Sequence, residues 1–371
     1  MRTLHVAGAR PNFMKVAPVL RALEARGASN VLVHTGQHYD PLMSAAFFDD
    51  LDLPEPDVHL EVGSGSHAEQ TGRIMERIEP VLEGRRPDLT IVVGDVNSTL
   101  AASIVCAKLH LPVAHVEAGL RSFDRTMPEE INRVLTDQLS ALLFTTSPEA
   151  RENLRREGIP PERVRFVGNP MIDSLERHLE RASASKVLEL FGLERDGYAL
   201  VTLHRPSNVD DPATLRGILE ALRDVAARLP VVFPAHPRTV KVMRDHGLDE
   251  LVDLSGAAAA NGVVSCVEPV GYVDFLRLQA DARLVLTDSG GIQEETTILG
   301  VPCLTLRENT ERPITIEMGT NRLVGSNPEV IRREALAALD GPRPPAARPP
   351  LWDGKAGERI ADEIMAWGSA P

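Results

Sequence analysis

Short apolar runs alternate with longer amphipathic stretches along the whole chain, and this alternation restricts its fold more than any other feature. The runs are rich in Val, Ile and Leu, as are strands that are buried on both faces of a parallel sheet. Stretches such as residues 212–228 place apolar side chains on one helical stripe. The pattern predicts βαβ units and therefore an α/β fold. The predicted strands are residues 3–7, 31–35, 89–93, 113–116, 142–145 and 164–167, followed by 199–203, 231–233, 263–267, 284–287 and 303–306.

The chain has 371 residues, which is too long for one ordinary hydrophobic core and predicts two domains. We place the boundary at Gly168-Asn169-Pro170, which gives a first domain of residues 1–169 and a second of residues 170–350. After a stretch rich in Pro and Ala, residues 360–367 are predicted to form a helix, and the segment 351–371 is expected to pack back on the first domain. Both domains are expected to be doubly wound and Rossmann-like, facing a central cleft.

Composition excludes several classes of partner. The 53 acidic residues outnumber the 40 basic ones and give a net charge of −13, which argues against nucleic acid. No apolar run has the length of a membrane span, so no membrane partner is expected. The three cysteines are far apart and are expected to be reduced core thiols of a cytoplasmic protein. The acids and histidines lack metal-ligand spacing, and neither a GxGxxG motif after the first strand nor a Walker A pattern occurs.

Polar residues follow the predicted strands of both halves. In open α/β sheets, ligands bind outside the carboxyl ends of the strands. We therefore expect these side chains to line a binding site: Arg10, Gln37, His38, Asp95 and Glu117 in the first half, and His204, Arg205, His236, Ser289, Glu311 and Arg312 in the second.

A small-residue turn, Ser289-Gly290-Gly291, follows the apolar run that ends at Leu286. A helix that starts at such a turn leaves backbone N–H groups and partial positive charge free to bind phosphate. Glu295, one turn further on, could accept hydrogen bonds from ribose hydroxyls. The alternative is a tight strand-to-helix turn such as occurs in any α/β domain.

The other candidates also have structural alternatives. Asp95 could cap the next helix. Glu129 and Glu130 have the position of first-turn acids favoured by the helix dipole. Glu117 lies between Val116 and Ala118, so it must be partly buried and needs a partner or a task. His204 and His236 could be core histidines, although neighbouring arginines favour an anion site, and Arg10 and Lys15 could be surface cations.

Several segments together resemble the non-hydrolysing UDP-N-acetylglucosamine 2-epimerases. In order along the chain they are Gly8-Ala9-Arg10-Pro11 with Lys15, Gly94-Asp95, His115-Val116-Glu117-Ala118-Gly119-Leu120-Arg121, Pro128-Glu129-Glu130-Ile131-Asn132-Arg133, His204-Arg205, Asp288-Ser289-Gly290-Gly291-Ile292-Gln293-Glu294-Glu295, Thr310-Glu311-Arg312-Pro313 and Asp353-Gly354-Lys355-Ala356. The resemblance covers nearly the whole chain and implies the glycosyltransferase-B fold, no cofactor, a homodimer and a role in cell-envelope polysaccharide biosynthesis.

The resemblance also implies a mechanism. A base removes the C2 proton of UDP-N-acetylglucosamine while UDP leaves C1. UDP then adds back to 2-acetamidoglucal to give UDP-N-acetylmannosamine. By this resemblance Asp95, Glu117 and Glu129 form the acid–base set, and His204 lies near the diphosphate. Ser289, Gly290, Gly291 and Arg312 hold the phosphates with help from Arg10 and Lys15, Glu295 takes the ribose hydroxyls, and Phe275 lies against the uracil.

The departures from the family pattern leave alternatives open. His204-Arg205 is followed by Pro206-Ser207-Asn208, without the second Arg and the Glu of many relatives. Some bacterial members are activated by their own substrate, but residues 37–40 lack the second Gln of that site, so activation is expected to be weak or absent. The alternatives are an epimerase of a modified UDP-sugar such as a diacetamido uronic acid, a hydrolysing epimerase, or a glycosyltransferase of the same fold.

Overall fold

The computed structural model describes residues 1–37, 50–256 and 262–369, apart from the side chain of Arg10. Within it the chain forms two compact units. The first comprises Met1–Arg177 together with Pro350–Pro371, and the second comprises His178–Pro349.

The first unit is built on a seven-stranded sheet in which every described pairing is parallel. The strand order is β3-β2-β1-β4-β5-β6-β7, so the chain starts at the middle and winds toward both edges. Apolar residues of the inner strands pack with one face of the helix at residues 67–85 to form a core. The strands are β1 (Arg2–Ala7), β2 (Ser29–His34), β3 (Val58–His59), β4 (Leu89–Val93), β5 (Val113–Ala118), β6 (Leu142–Thr145) and β7 (Val164–Phe166).

Helices follow the strands of this sheet, as the βαβ pattern requires. They are α1 (Arg10–Ala25), α2 (His67–Arg85), α3 (Asn97–Lys108), α4 (Pro128–Leu139), α5 (Pro148–Arg156) and α6 (Pro170–Ser183), with a 3-10 turn at Pro161–Arg163. Each helix start therefore lies beside the carboxyl end of a strand, where the first-half candidate residues were predicted.

The second unit repeats the design with a parallel sheet of order β10-β11-β9-β8-β12-β13-β14. Its strands are β8 (Ala199–Thr202), β9 (Val231–Pro234), β10 (Val252–Asp253), β11 (Val264–Val267), β12 (Leu284–Thr287), β13 (Cys303–Thr305) and β14 (Asn321–Leu323). Its helices are α7 (Val187–Leu190), α8 (Pro206–Val209), α9 (Pro212–Ala226), α10 (Pro237–Asp245), α11 (Tyr272–Ala280), α12 (Gly290–Leu299), α13 (Ile314–Glu317) and α14 (Pro328–Asp340), with a 3-10 turn at Asp249–Leu251.

The C-terminal helix α15 (Ala356–Gly368) belongs to the first unit. The Asp173 carboxylate accepts hydrogen bonds from the backbone N–H groups of Ala356 and Gly357, at 3.0 and 2.7 Å. Arg26, at the end of α1, pairs with Asp362. The segment thus contacts both α1 and α6.

Every strand predicted from an apolar run is a strand of the structure, and the predicted α/β class is confirmed. The prediction missed β3, β10 and β14, which have two, two and three residues. All three are sheet edges, where a short strand needs no apolar run. In the described residues, Cys106, Cys266 and Cys303 are buried free thiols, as predicted. Over the same residues, no helix has the length and apolar character to cross a membrane.

Candidate functional site

Glu117 ends the inner strand β5 in an unusual conformation. Its φ is +74°, a region that side-chain-bearing residues avoid, and the pairing of β5 with β6 shifts register between Val116 and Ala118. Such strain costs about 1–3 kcal/mol and clusters at functional sites. The Glu117 side chain is buried, as its apolar neighbours in the sequence predicted.

Lys15 from α1 forms an ion pair with Glu117, and both side chains are buried. Gly94, in the turn after β4, lies beside this pair. A Cβ at Gly94 would lie 3.4 Å from the Glu117 Oε2 and 3.5 Å from the Lys15 Nζ. Lys15 is therefore not the surface cation that the sequence left as an alternative. A buried ion pair is stable only when both partners are present, so each side chain fixes the other.

Asp95 lies directly after Gly94 and is held from α4. Its carboxylate accepts from the Arg133 guanidinium at 2.5 Å, and its backbone oxygen accepts from the Asn132 amide at 2.8 Å. Asp95 does not cap α3, because Val96 has that position and no side chain caps it. Part of the Asp95 carboxylate remains exposed while Arg133 is buried.

Glu129 and Glu130 are neighbours in the first turn of α4 but have different surroundings. Glu129 is half-buried. Glu130 is buried and accepts from the backbone N–H groups of Ser122 and Phe123 at 3.0 and 2.9 Å, and from Arg133 at 2.8 Å. Burial alone would raise the pKa of Glu130, but these hydrogen bonds and the Arg133 charge lower it below its ordinary value. Glu130 thus anchors the loop before α4, while Glu129 faces partly outward.

In the second unit, Asp288 orients the residues that follow β8. It is fully buried at the end of β12. Its carboxylate accepts from the backbone N–H groups of His204 and Arg205 and from the Asn208 amide, at 3.0–3.2 Å, and lies 2.7 Å from the Nδ1 of His204. Burial would raise the pKa of Asp288, but these partners, His204 first, lower it. His204 is mostly exposed, so it is not a core histidine.

Arg312 lies against the start of α12. Its Nη1 is 2.5 Å from the Glu311 carboxylate and its Nε is 2.8 Å from the Glu294 carboxylate. A Cβ on Gly290 would lie 2.3 Å from the Arg312 Nη1, so the close approach of the guanidinium requires glycine. Arg307 is 2.7 Å and Arg205 is 3.9 Å from the Glu311 carboxylate, which brings two further guanidinium groups to the same cluster.

The predicted phosphate turn is a helix start, with Ser289 as the residue before α12. In the described part of the chain, no side chain caps this helix. Backbone N–H groups of the first turn and the Arg312 guanidinium therefore lie together. Both favour an anion.

Glu295 is buried one turn into α12, where the Tyr272 hydroxyl donates to it at 3.0 Å. Burial raises the pKa of Glu295 to about 7, against the hydrogen bond of Tyr272. Phe275, on the same helix as Tyr272, is half-buried and packs against the apolar core. His236 is exposed and begins α10, where its Nδ1 accepts from the N–H of Arg238 at 3.2 Å, so it too is not a core histidine.

Two predictions fall partly outside the described residues. The side chain of Arg10 does so, although its backbone begins α1. Of residues 37–40, only Gln37 is described. Within the described ranges, no group of His, Cys, Asp and Glu side chains could hold a metal ion.

A family model described as UDP-N-acetylglucosamine 2-epimerase matches residues 21–365. This chain belongs to the UDP-N-acetylglucosamine 2-epimerase family. The UDP-N-acetylglucosamine 2-epimerase of Methanocaldococcus jannaschii is 43% identical to it over 99% of this chain and 100% of the relative. The crystal structure of the M. jannaschii enzyme in complex with UDP-GlcNAc and UDP matches 99% of this chain and 100% of its own, with a TM-score of 0.91. The UDP-2,3-diacetamido-2,3-dideoxy-D-glucuronate 2-epimerase of Pseudomonas aeruginosa is 42% identical over 91% of this chain and 92% of the relative.

The predicted 2-epimerase family is thereby confirmed. Sequence reasoning gave no role to Arg133 and Asp288, two buried residues that orient the candidates in this family member, and named Glu311 only as a polar residue after a strand. One signal was available for each of them. Arg133 is three residues after Glu130 on a helix, Asp288 directly follows a buried strand, and Glu311 adjoins a candidate arginine.

Proposed function

We propose that the protein interconverts UDP-N-acetylglucosamine and UDP-N-acetylmannosamine without net hydrolysis. The observation that carries this proposal is the Lys15–Glu117 ion pair, buried at a strained strand end beside Asp95. Removing a proton from C2 of a sugar requires a positioned base, because that proton is only weakly acidic, and a carboxylate can serve as one. The family match supports the same reaction class.

The proposed reaction is an elimination followed by an addition. A carboxylate takes the C2 proton, its C–H electron pair forms the C1–C2 double bond, and the C1–O bond breaks toward the diphosphate. This step gives 2-acetamidoglucal and UDP. UDP then adds back to C1 while C2 receives a proton on the opposite face. Two faces require at least two proton-carrying groups, and we assign Asp95, Glu117 and Glu129 to this set.

The second unit is proposed to hold UDP, both as a substituent and as a leaving group. Arg312 and the start of α12 at Ser289-Gly290-Gly291 would hold the phosphates. His204, oriented by Asp288, would donate to the departing oxygen, and Arg205 and His236 would add positive charge. Glu295 would accept from the ribose hydroxyls, with Phe275 beside the uracil. Stabilisation of the charge that develops on the leaving group is a major part of such catalysis.

Proton exchange at C2 tests the proposal. The protein is incubated with UDP-N-acetylglucosamine in D2O, and C2 is followed by NMR. We expect deuterium at C2 in intact UDP-sugars of both configurations. Free N-acetylmannosamine together with UDP would identify a hydrolysing epimerase instead. Binding without any exchange would contradict both, and would favour a glycosyltransferase or a protein that only binds the sugar nucleotide.

A modified UDP-sugar is the second candidate substrate. The P. aeruginosa diacetamido glucuronate epimerase is nearly as similar to this chain as the M. jannaschii enzyme. The same exchange assay with both UDP-sugars, compared by kcat/KM, separates the two. We expect the larger value for UDP-N-acetylglucosamine, and a larger value for the uronate would reverse the assignment.

We further propose that the protein acts in the cytoplasm as a homodimer. The buried free thiols of Cys106, Cys266 and Cys303 support a reducing compartment. Light scattering coupled to size-exclusion chromatography tests the oligomeric state. A mass of about twice that of the 40.4 kDa chain is expected, and a monomer mass would contradict it.

A further inference from the structure

Asp137 is a fully buried carboxylate that the proposed reaction does not use. It lies on the inner face of α4, one helical turn after Arg133. Its Oδ2 accepts from the backbone N–H of Gly119 at 3.1 Å and from Arg121 at 2.7 Å, and its Oδ1 lies 2.6 Å from the Nδ1 of His115. Each carboxylate oxygen therefore holds a different part of the chain.

His115 links Asp137 to a second loop, the one that follows β4. Its Nε2 lies 2.8 Å from the backbone oxygen of Gly94, the residue before Asp95. A carbonyl oxygen and an ionised carboxylate are both acceptors, so these two contacts favour an N–H group at each ring nitrogen. The ring is thus held between Asp137 and Gly94 through both of its nitrogens. Burial by itself would raise the pKa of Asp137, but the charges and hydrogen bonds of His115 and Arg121 lower it.

The backbone groups held in this way are Gly119 by Asp137 and Gly94 by His115, and they adjoin the segments of Glu117 and Asp95. Gly119 comes two residues after Glu117, at the end of the strained segment, and Gly94 immediately precedes Asp95. Arg133 and Asn132 on the same helix bind Asp95 directly. One face of α4 therefore contacts both loops.

We propose that Asp137, acting through His115, is a positioning residue that fixes the separation of Asp95 and Glu117. This inference rests on the proposed epimerisation, because it assigns both carboxylates to proton transfer. Proton transfer is sensitive to such placement, and a displacement of about 1 Å can lower a rate by about 10²-fold.

The first test examines the ring without any assay of activity. Histidine-selective ¹⁵N NMR of the wild-type protein is expected to show both His115 nitrogens protonated, with the signal assigned by its loss in His115→Gln. Asparagine at position 137 has a single acceptor oxygen, so Asp137→Asn cannot accept from both His115 and Gly119. We expect the Nδ1 of His115 to lose its proton in this variant. A wild-type ring with one unprotonated nitrogen would overturn the proposal.

The second test separates catalysis from binding. Asp137→Asn is expected to lower kcat for C2 exchange by about 10²-fold while KM and the Kd for UDP change by less than about threefold. Glu157→Gln is the matched control, because the Glu157 carboxylate pairs with Arg121 as Asp137 does, whereas His115 and the Gly119 N–H bond to Asp137 instead. Wild-type kcat in Asp137→Asn, or an equal loss in Glu157→Gln, would overturn the proposal.

A substitute variant and a readout that does not depend on activity complete the two tests. Should Asp137→Asn not fold, His115→Gln takes its place in the kinetic test, with the same loss of kcat expected and with wild-type kcat as the contrary result. Absence of exchange in the wild-type protein would contradict the proposed function, while the protonation state of His115 would still decide whether Asp137 and Gly94 are linked through the ring.

Discussion

The two units differ in which partner of an ion pair is buried and which is exposed. In the first unit, the Asp95 carboxylate is 29% exposed and is held by Arg133, which is 2% exposed. In the second, His204 is 58% exposed and is held by Asp288, which is fully buried. In the first unit, a buried arginine thus holds a partly exposed carboxylate. In the second, a buried carboxylate holds an exposed histidine.

This difference separates two kinds of chemistry. An oriented carboxylate suits proton transfer, whereas oriented imidazole and guanidinium groups suit an anionic ligand. Glu117 and Lys15 depart from the pattern of the first unit because both partners are buried, and they lie where the backbone is strained. We therefore expect substitutions of the first-unit carboxylates to affect turnover, and substitutions of the phosphate-binding residues of the second unit to affect the binding of UDP.

Glu117→Gln should give the largest effect. Glutamine cannot take a proton from C2, and we expect the exchange rate to fall by about 10³-fold. The Kd for UDP is expected to stay near the wild-type value, since UDP is assigned to the second unit. NMR of C2 exchange and calorimetric titration with UDP measure the two quantities. Exchange near the wild-type rate would remove Glu117 from the acid–base set. A loss of UDP binding would contradict the assignment of UDP binding to the second unit.

Glu295 should make the second unit less stable as pH rises. Its pKa is about 7 in the folded protein because of burial, against an ordinary value of 4.5. The folded protein therefore holds more protons than the unfolded chain between these pH values. The free energy of unfolding therefore falls as pH rises from 4.5 to 7, by about 3 kcal/mol.

Glu295→Gln removes this titration. The wild-type unfolding free energy minus that of Glu295→Gln should decrease by about 3 kcal/mol between pH 4.5 and pH 7.5 in urea titrations. A difference that stays constant over this pH range would contradict the prediction.

His5 should give the opposite slope in the first unit. Burial lowers its pKa to about 4 from an ordinary 6.5, against a hydrogen bond with Asn30. The unfolded chain binds the extra proton between these values, so stability is lost as pH falls through this range. The wild-type unfolding free energy minus that of His5→Gln should rise by about 3 kcal/mol from pH 4 to pH 7. A slope of the same sign as that for Glu295 would refute the assignment.

The sequence predicted the strands well because interior parallel strands are buried on both faces and need unbroken apolar runs. It also predicted the burial of Glu117 from Val116 and Ala118. The positive φ of Glu117 had no such signal, because glutamate has no preference for that conformation. Long-range partners such as Arg133 for Asp95 were beyond prediction from spacing, since they depend on how α4 packs against β4 and β5.

Glu129 and Glu130, in one turn of α4, also show what sequence spacing cannot predict. The two residues have the same chemistry and adjoin each other, so composition and periodicity cannot rank them. The rotation of about 100° per residue along α4 turns Glu130 toward Arg133 and leaves Glu129 half-buried. The orientation of the helix in the folded unit, rather than any local property of the sequence, makes this distinction.

Gly290→Ala should weaken UDP binding by about tenfold and also lower the stability of the second unit. The added Cβ meets the end of the Arg312 side chain, which must then move away from the helix start and from the buried Glu294 and Glu311 carboxylates. The anion site thereby loses its guanidinium, and one charge-assisted hydrogen bond is worth about 1.5–3 kcal/mol. UDP titration and thermal unfolding measure both effects. Gly72→Ala is the control, because a Cβ there meets nothing within 4 Å. Unchanged UDP affinity in Gly290→Ala would exclude Arg312 from the phosphate site.

The smallest expected effect concerns a second substrate molecule. Initial rates should depend hyperbolically on the concentration of UDP-N-acetylglucosamine, because residues 37–40 lack the second glutamine of an activating site. The Gln37 side chain is already engaged, since its Oε1 accepts from the N–H and the hydroxyl of Ser98 at 3.2 and 2.8 Å. A ligand at Gln37 would have to displace these bonds. A sigmoidal curve, or stimulation of the reverse reaction by added UDP-N-acetylglucosamine, would show that the first unit binds an activating nucleotide sugar, and the assignment of UDP binding to the second unit alone would then fail.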